Sequence, residues 1–144
     1  MINSFRGRYT FLSNFFGSPV IHENILYPSV EHAYQAAKFP PEEREQFTSL
    51  SMSAGGAKKK GHGVGGPDWR TKTLPLMTML VRQKFSIPTL REFLLDTGDE
   101  DLCEGNYWHD NFWGDCNCGR PECAGAGLNH LGKILMQVRK EARG

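Results

Sequence analysis

What the sequence lacks narrows the field. It has almost no net charge, since 17 Lys and Arg against 16 Asp and Glu leave a formal +1, whereas a protein that neutralises many phosphates ordinarily carries a clear basic excess on one face. No apolar run approaches the roughly 18 residues needed to cross a bilayer, so no membrane partner is expected. The start, Met1-Ile-Asn-Ser-Phe-Arg6, lacks the apolar core of a secretory signal, which predicts a cytoplasmic protein. Cysteine is sparse as well, four in 144 residues. In a cytosolic chain such thiols stay reduced, held by metal or buried, rather than paired in disulfides.

What is present describes an ordinary globular domain. A chain of 144 residues with 39% hydrophobic and 23% charged residues has the size and composition of one domain with one core. We therefore expect a compact single domain over residues 1–144, α+β in class and mostly α, with several helices and a few short N-terminal strands. Val20-Ile21 and Ile25-Leu26-Tyr27 flank the polar His22-Glu23-Asn24, a small hairpin without the usual Asn-Gly or Asp-Gly signal. Ser29 is a good N-cap for a helix in which Val30, Ala33, Tyr34 and Ala37 fall at i, i+3, i+4 and i+7, the stripe of a helix packed on a core. Further helices are expected over Pro41–Phe47, over Ser53–Lys60 ending at Gly61, over Trp69–Phe85 capped by Asp68 with Pro75 as a blemish, over Pro88–Leu95 with Gly98 as terminator, and over Asn129–Arg143. Residues 103–128 form a Gly-, Cys- and aromatic-rich loop, and loops of that length in a compact domain are usually functional.

Several constellations carry chemistry. Glu31, Gln35 and Lys38 sit at i, i+4 and i+7 on the Ser29 helix, a polar stripe within about 60° of arc beside the apolar one, and seven residues rise roughly 10 Å, enough for Glu and Lys to flank a pentose. The same residues also suit a merely solvated helix face. In the long loop, Asp110-Asn-Phe-Trp-Gly-Asp115 follows Tyr107-Trp-His109. Its carboxylates and aromatic rings suit a site that stacks a base and stabilises positive charge on a sugar, or a loop stapled to the core. Ser13, Asn14 and Phe15 lie in Phe11-Leu-Ser-Asn-Phe-Phe16, where the polar pair marks either a ligand contact or a turn. Trp69 is a candidate stacking wall, Lys58-Lys-Lys60 a candidate phosphate clamp, and Asn129 opens the last helix where its amide or the helix N-terminus can meet a phosphate. Cys116-Asn-Cys118 and Cys123 give a C-x-C-x4-C pattern. Three clustered ligands fall short of the four of a tetrahedral zinc site, with Cys103, His109 and His130 available to complete it. We assign no metal and no cofactor to the catalytic chemistry.

Taken together, Phe11-Leu-Ser-Asn-Phe-Phe16, Tyr27-Pro-Ser-Val-Glu-His-Ala-Tyr-Gln-Ala-Ala-Lys-Phe39, Asp68-Trp69, Lys84-Phe85, Leu94-Leu-Asp-Thr-Gly-Asp99, Phe112-Trp-Gly-Asp115 and Gly127-Leu-Asn-His-Leu-Gly-Lys-Ile-Leu-Met136 resemble the NADAR domain family, in order, over about residues 9 to 140. The resemblance implies a compact, mostly helical domain and an N-glycosidase acting on ADP-ribose-linked or ribosyl-linked bases. Its Glu and Lys fall on Glu31 and Lys38, its Trp on Trp69 and its loop acid on Asp110. The catalytic set expected from residues and resemblance together is Glu31, Lys38 and Asp110. The substrate-binding set is Ser13, Asn14, Phe15, Gln35, Trp69, Trp113, Gly114, Asp115 and Asn129. The expected substrate carries ADP-ribose or a ribosyl phosphate, foremost ADP-ribosylated guanine in DNA. The alternatives are ribosylamino intermediates of riboflavin synthesis and a module that binds ADP-ribose without cleaving it. This sequence departs from the pattern at the Cys-rich insert from Asp115 to Gly125 and at Lys58-Lys-Lys-Gly-His62, both on the expected substrate side.

Overall fold

A computed structural model describes residues 1–144. The chain is mostly helical with a few short strands, and it divides into two compact units, Asn14–Ser86 and Met1–Ser13 with Ile87–Gly144. No helix is long and apolar enough to cross a membrane.

The Asn14–Ser86 unit is built around a buried helix. Strands β1 (Val20–His22) and β2 (Ile25–Tyr27) pair antiparallel, His22 opposite Ile25. Glu23 and Asn24 close the hairpin with φ of 49° and 67°, the pattern of a primed two-residue turn. Asparagine tolerates that region well. Glutamate does so less readily, and here its carboxylate is clamped by Arg44. Helix α1 (Val30–Ala36) follows, and all seven of its residues are buried. A helix this short is marginal on its own, so packing must hold it. It contacts β1, β2, α2 (Ala54–Gly61) and α3 (Trp69–Lys84). Val30, Ala33 and Ala36 are fully buried, with Leu80 and Val81 of α3 also in the core. Each such aliphatic side chain contributes about 1.5–3 kcal/mol when it is Val or larger.

Capping fixes where α1 begins. The Ser29 hydroxyl accepts from His32 N at 3.2 Å and lies 2.7 Å from His32 Nδ1, while His32 Nε2 lies 2.6 Å from the Met52 carbonyl. A carbonyl only accepts, so the ring carries its proton on Nε2 and Ser29 donates to Nδ1. The Asn14 carbonyl adds a cap by accepting from Glu31 N at 3.1 Å.

The helix ends earlier than its apolar stripe predicts. Ala37 is the C-cap, and Lys38 N and Phe39 N bond to the carbonyls of Gln35 and Ala36 in a tightened turn. Phe39 precedes Pro40, a position that disfavours helical backbone and unwinds the end. Lys38 therefore stands just past the helix rather than on it. The expected helix over 41–47 is instead two 3-10 turns, Pro41–Glu43 and Glu45–Thr48. Asp68 precedes α3 but makes no side-chain cap, and α3 runs through Pro75.

In the other unit, a 3-10 helix (Gly7–Leu12) lies against α4 (Pro88–Leu95), and α4 against α5 (His130–Arg143). Ile2 bridges Leu102 in parallel. The long loop carries a parallel two-residue pair, β3 (Gly105–Asn106) with β4 (Asp115–Cys116). Buried Arg139 of α5 donates to the Thr97 hydroxyl at 2.8 Å, which in turn donates to the Leu94 carbonyl at 2.6 Å.

Candidate active site

The Asn14–Ser86 unit brings Glu31, Gln35, Lys38 and Trp69 together around α1. Glu31 and Gln35 are one helical turn apart, both buried, and Glu31 Oε2 accepts from Gln35 Nε2 at 2.6 Å. The other end of the Gln35 amide, Oε1, is buried without a hydrogen-bond partner. An uncompensated buried carbonyl costs about 1–3 kcal/mol. Such an acceptor is one that an entering donor, from a water or a ligand, would satisfy.

Lys38 is half-buried, its Nζ donating to the Gly61 carbonyl at 3.2 Å and lying 5.2 Å from the centre of the Tyr34 ring. Burial pushes the Lys38 ammonium below the ordinary lysine range, and the Glu31 charge opposes that shift. The amine and the carboxylate are therefore in electrical contact although they sit on different backbone geometries. Tyr34 is in turn fixed from its far side: Trp69 Nε1 donates to its hydroxyl at 3.2 Å, and that hydroxyl lies 2.6 Å from Thr73 Oγ1. The Tyr34 and Trp69 rings lie 5.4 Å apart at 54°.

Gly61 and Thr73 are the residues that sequence reasoning missed. Gly61 ends α2 at the end of Lys58-Lys-Lys60, and a Cβ there would stand 1.9 Å from Gln35 Oε1. Its lack of a side chain admits the Gln35 amide while its carbonyl holds the Lys38 amine. No local signal separates it from the neighbouring glycines. Tyr34, on the apolar stripe and four residues before Lys38, is expected to pack beside the amine, and the ring lies under it as that spacing implies.

The remaining candidates of this unit are Asn14 and Phe15. Asn14 is buried, its amide on Met77 Sδ at 3.4 Å and its carbonyl capping α1. Phe15 is exposed, with Lys58 Nζ 5.9 Å from its ring centre.

Asp110, Trp113, Gly114, Asp115, Asn129 and Ser13 belong to the other unit. Asp110 Oδ1 accepts from the backbone of Phe112 at 3.2 Å and Trp113 at 2.9 Å, an Asx turn that shapes the loop. Asn106, buried beneath, accepts from Trp108 N and Asp110 N and donates to the Asp110 carbonyl. Trp113 packs edge-on to Phe112 at 4.8 Å. Gly114 is buried, its carbonyl accepting from Asn129 N, and Asp115 N donates to the Glu104 carbonyl. Ser13 caps the first 3-10 helix, its N bonded to the Thr10 carbonyl. Asn129, at φ 51°, departs from its expected role. Its Oδ1 accepts from Glu104 N at 3.0 Å and its Nδ2 donates to the Leu102 carbonyl at 2.9 Å. His130 N and Leu131 N bond to the Phe112 and Trp113 carbonyls. Amide and helix N-terminus are thus engaged by the fold itself, and they position the loop.

Comparison with known proteins places these residues in context. A family model described as NADAR domain matches residues 3–143. The N-glycosidase Npun_R5314 of Nostoc punctiforme is 36% identical over 143 residues, covering 94% of this chain and 86% of that protein. The riboflavin biosynthesis protein VVA0006 of Vibrio vulnificus is 35% identical over 135 residues, covering 91% of this chain but 35% of its own length, so the chain spans about a third of it. The N-glycosidase YbiA of Escherichia coli is 32% identical over 138 residues, covering 92% of this chain and 81% of its own. The NMR structure of E. coli YbiA superposes with a TM-score of 0.78 at 29% identity, covering 99% of this chain and 87% of that one.

Proposed function

Because the chain belongs to the NADAR family, we propose that it hydrolyses the N-glycosidic bond of ADP-ribosylated guanine in DNA, releasing the base from ADP-ribose. At the coarser level the chain is an N-glycosidase, as its near-full-length relatives are named. The observation that carries the reading is the buried Glu31–Gln35 pair beside the half-buried Lys38 amine. A buried carboxylate beside a half-buried amine whose pKa burial lowers is what cleavage at an anomeric carbon needs.

Breaking the bond builds positive charge at C1 of the ribose, which a nearby carboxylate stabilises. The neutral Lys38 amine attacks C1 as the bond to the base breaks. Glu31 takes the proton from the newly formed ammonium and passes it to the departing base. The C1–O4′ bond then opens with a proton going to O4′, leaving an imine on Lys38, and water hydrolyses that imine to free lysine and open-chain sugar. Gln35 Oε1 is an acceptor with spare capacity for a ribose hydroxyl. Trp69, in the same unit as Glu31 and Lys38, serves as a stacking wall for the base. Exposed Phe15, of that same unit, offers a further apolar face to the substrate. Lys58, Lys59 and Lys60, on the turn that ends at Gly61, offer charge to phosphates. A cytoplasmic address goes with this function, since cysteines are kept out of disulfides there.

The test is mass spectrometry of products from ADP-ribosylated guanine DNA, with borohydride added during turnover. DNA with its guanine restored to the unmodified mass, plus a reduced ADP-ribosyl adduct on the peptide containing Lys38, is the expected result. Release of ADP-ribose from the DNA without an adduct removes the imine and leaves the hydrolase. Neither product removes the proposal. A second reading rests on the match to the Vibrio riboflavin biosynthesis protein, and ribosylaminouracil phosphates in the same panel decide it: cleavage of these alone moves the activity to metabolite clearance. Tight binding of ADP-ribose with no cleavage of any member would make this a binding module.

A further inference from the structure

The long loop contains a second chemical centre that the glycosidase reading does not use. His109, Cys116, Cys118 and Cys123 each present one ligand atom, and all four atoms lie within 4.8 Å of one another. His109 Nδ1 stands 3.3 Å from Cys123 Sγ and 3.6 Å from both Cys116 Sγ and Cys118 Sγ. An imidazole nitrogen has one in-plane direction, for a single proton or a single lone pair, so three sulfurs spread around it cannot all be its hydrogen-bond partners. They can all be its neighbours on a coordination polyhedron. Bonds of roughly 2.3 Å to sulfur and about 2.0–2.1 Å to nitrogen at tetrahedral angles put ligand atoms about 3.5–3.8 Å apart. Two of the three observed spacings from nitrogen fall in that range, and the third, to Cys123, lies just below it.

The sequence left Cys103, His109 and His130 as ways to complete the three cysteines. The fold selects His109. It does so by holding that residue at φ 69°, a left-handed backbone that costs a non-glycine residue of order 1 kcal/mol and needs a compensating interaction. The rest of the loop is shaped to the same end. Gly119 follows Cys118 at φ 86°, and the next amide, Arg120 N, donates to Cys118 Sγ at 3.5 Å. Asn111 Oδ1 accepts from Cys116 N at 2.9 Å, and Cys123 N closes a turn onto the Arg120 carbonyl. An amide directed at a ligand sulfur, and outer groups fixing the ligand backbone, are what supports a metal site.

We propose that His109 Nδ1 and the thiolates of Cys116, Cys118 and Cys123 bind one zinc ion as a closed, structural tetrahedral site that fixes the 105–128 loop. Three thiolates and one imidazole select zinc over hard cations, and four protein ligands leave no open position for catalysis. A ring of ligand atoms this tight encloses a single ion rather than a cluster. The site is independent of the glycosidase reading, since metal content needs no substrate.

The experiment is elemental analysis of the full-length chain purified without chelator, alongside Co2+ substitution of the reduced, metal-stripped protein. About one equivalent of zinc is expected, and Co2+ should give the strong visible absorption of a tetrahedral ion with thiolate-to-cobalt charge transfer. Cys118→Ser and His109→Ala should each lose most of the metal and the charge-transfer band, while Cys103→Ser and His130→Ala keep both. Less than a tenth of an equivalent of zinc together with no tetrahedral Co2+ spectrum on the unmodified chain overturns the proposal, as does retention of full metal by Cys118→Ser. The unmodified chain decides the matter even if a variant fails to fold.

Discussion

The two candidate centres are ordered by opposite means. Around α1, chemistry sits on a regular element: Glu31 and Gln35 occupy successive turns of a helix whose other faces are buried by apolar packing. In the 103–128 loop almost nothing is regular beyond β3 and β4, and shape comes from Asn106, Asp110, Asn111 and Asn129 bonding to backbone, and from the His109–Cys cluster. Packing tolerates small adjustments around a fixed helix. A loop held by individual polar contacts loses its form one contact at a time.

The strongest test of the contrast is Glu31→Gln. Positioned proton transfer gives about 100- to 10,000-fold, so turnover should fall by that range while thermal unfolding hardly moves. A rate near that of the parent would pass the role to Asp110 and reverse the ranking of the two regions. The rate should also rise with pH through the lowered Lys38 pKa, since only the neutral amine attacks. A flat profile would argue against amine chemistry.

Gly61→Ala comes next, because its Cβ would meet Gln35 Oε1 at 1.9 Å. Overpacking of this kind costs about 1–3 kcal/mol, to be read from denaturant midpoints. The companion change Gln35→Ala should restore the stability but not the activity. Lys84 offers a gentler probe. It is buried, and that burial lowers its pKa from the ordinary 10.5 to about 7. Between those values the unfolded chain binds the proton that the folded chain has released, so stability rises with pH across the window, by at most about 1.4 kcal/mol per pH unit. Lys84→Met should flatten the slope. The smallest effect belongs to Asp110→Ala, which removes an Asx turn and should cost about 1 kcal/mol, seen as faster proteolysis within 105–128. If unfolding stays unchanged while turnover collapses, Asp110 is chemical rather than structural.

Periodicity and capping made the α1 region readable: Ser29 as N-cap, the apolar stripe from Val30, and Glu31 with Gln35 on one face all follow from residue spacing. The same reasoning overextended the helix to Lys38, because a spacing rule does not register how Pro40 unwinds the preceding turn. Gly61 was out of reach for a different reason. Its meaning depends on Gln35, far away in sequence, and only the fold makes the two neighbours. In the loop, the cysteine spacing announced a cluster, but the fourth member depended on the sign of one φ angle at His109, which no composition or period encodes.

Asn129 has a consequence for how the protein ages. One side chain supplies both an acceptor for Glu104 N and a donor for the Leu102 carbonyl, so its two ends are not interchangeable. Hydrolysis of that amide to a carboxylate would leave the acceptor intact but place an oxygen lone pair against a carbonyl oxygen, with no hydrogen between them. A change of one mass unit, invisible to gel or chromatographic size, would then loosen the joint between the start of α5 and the loop that precedes it.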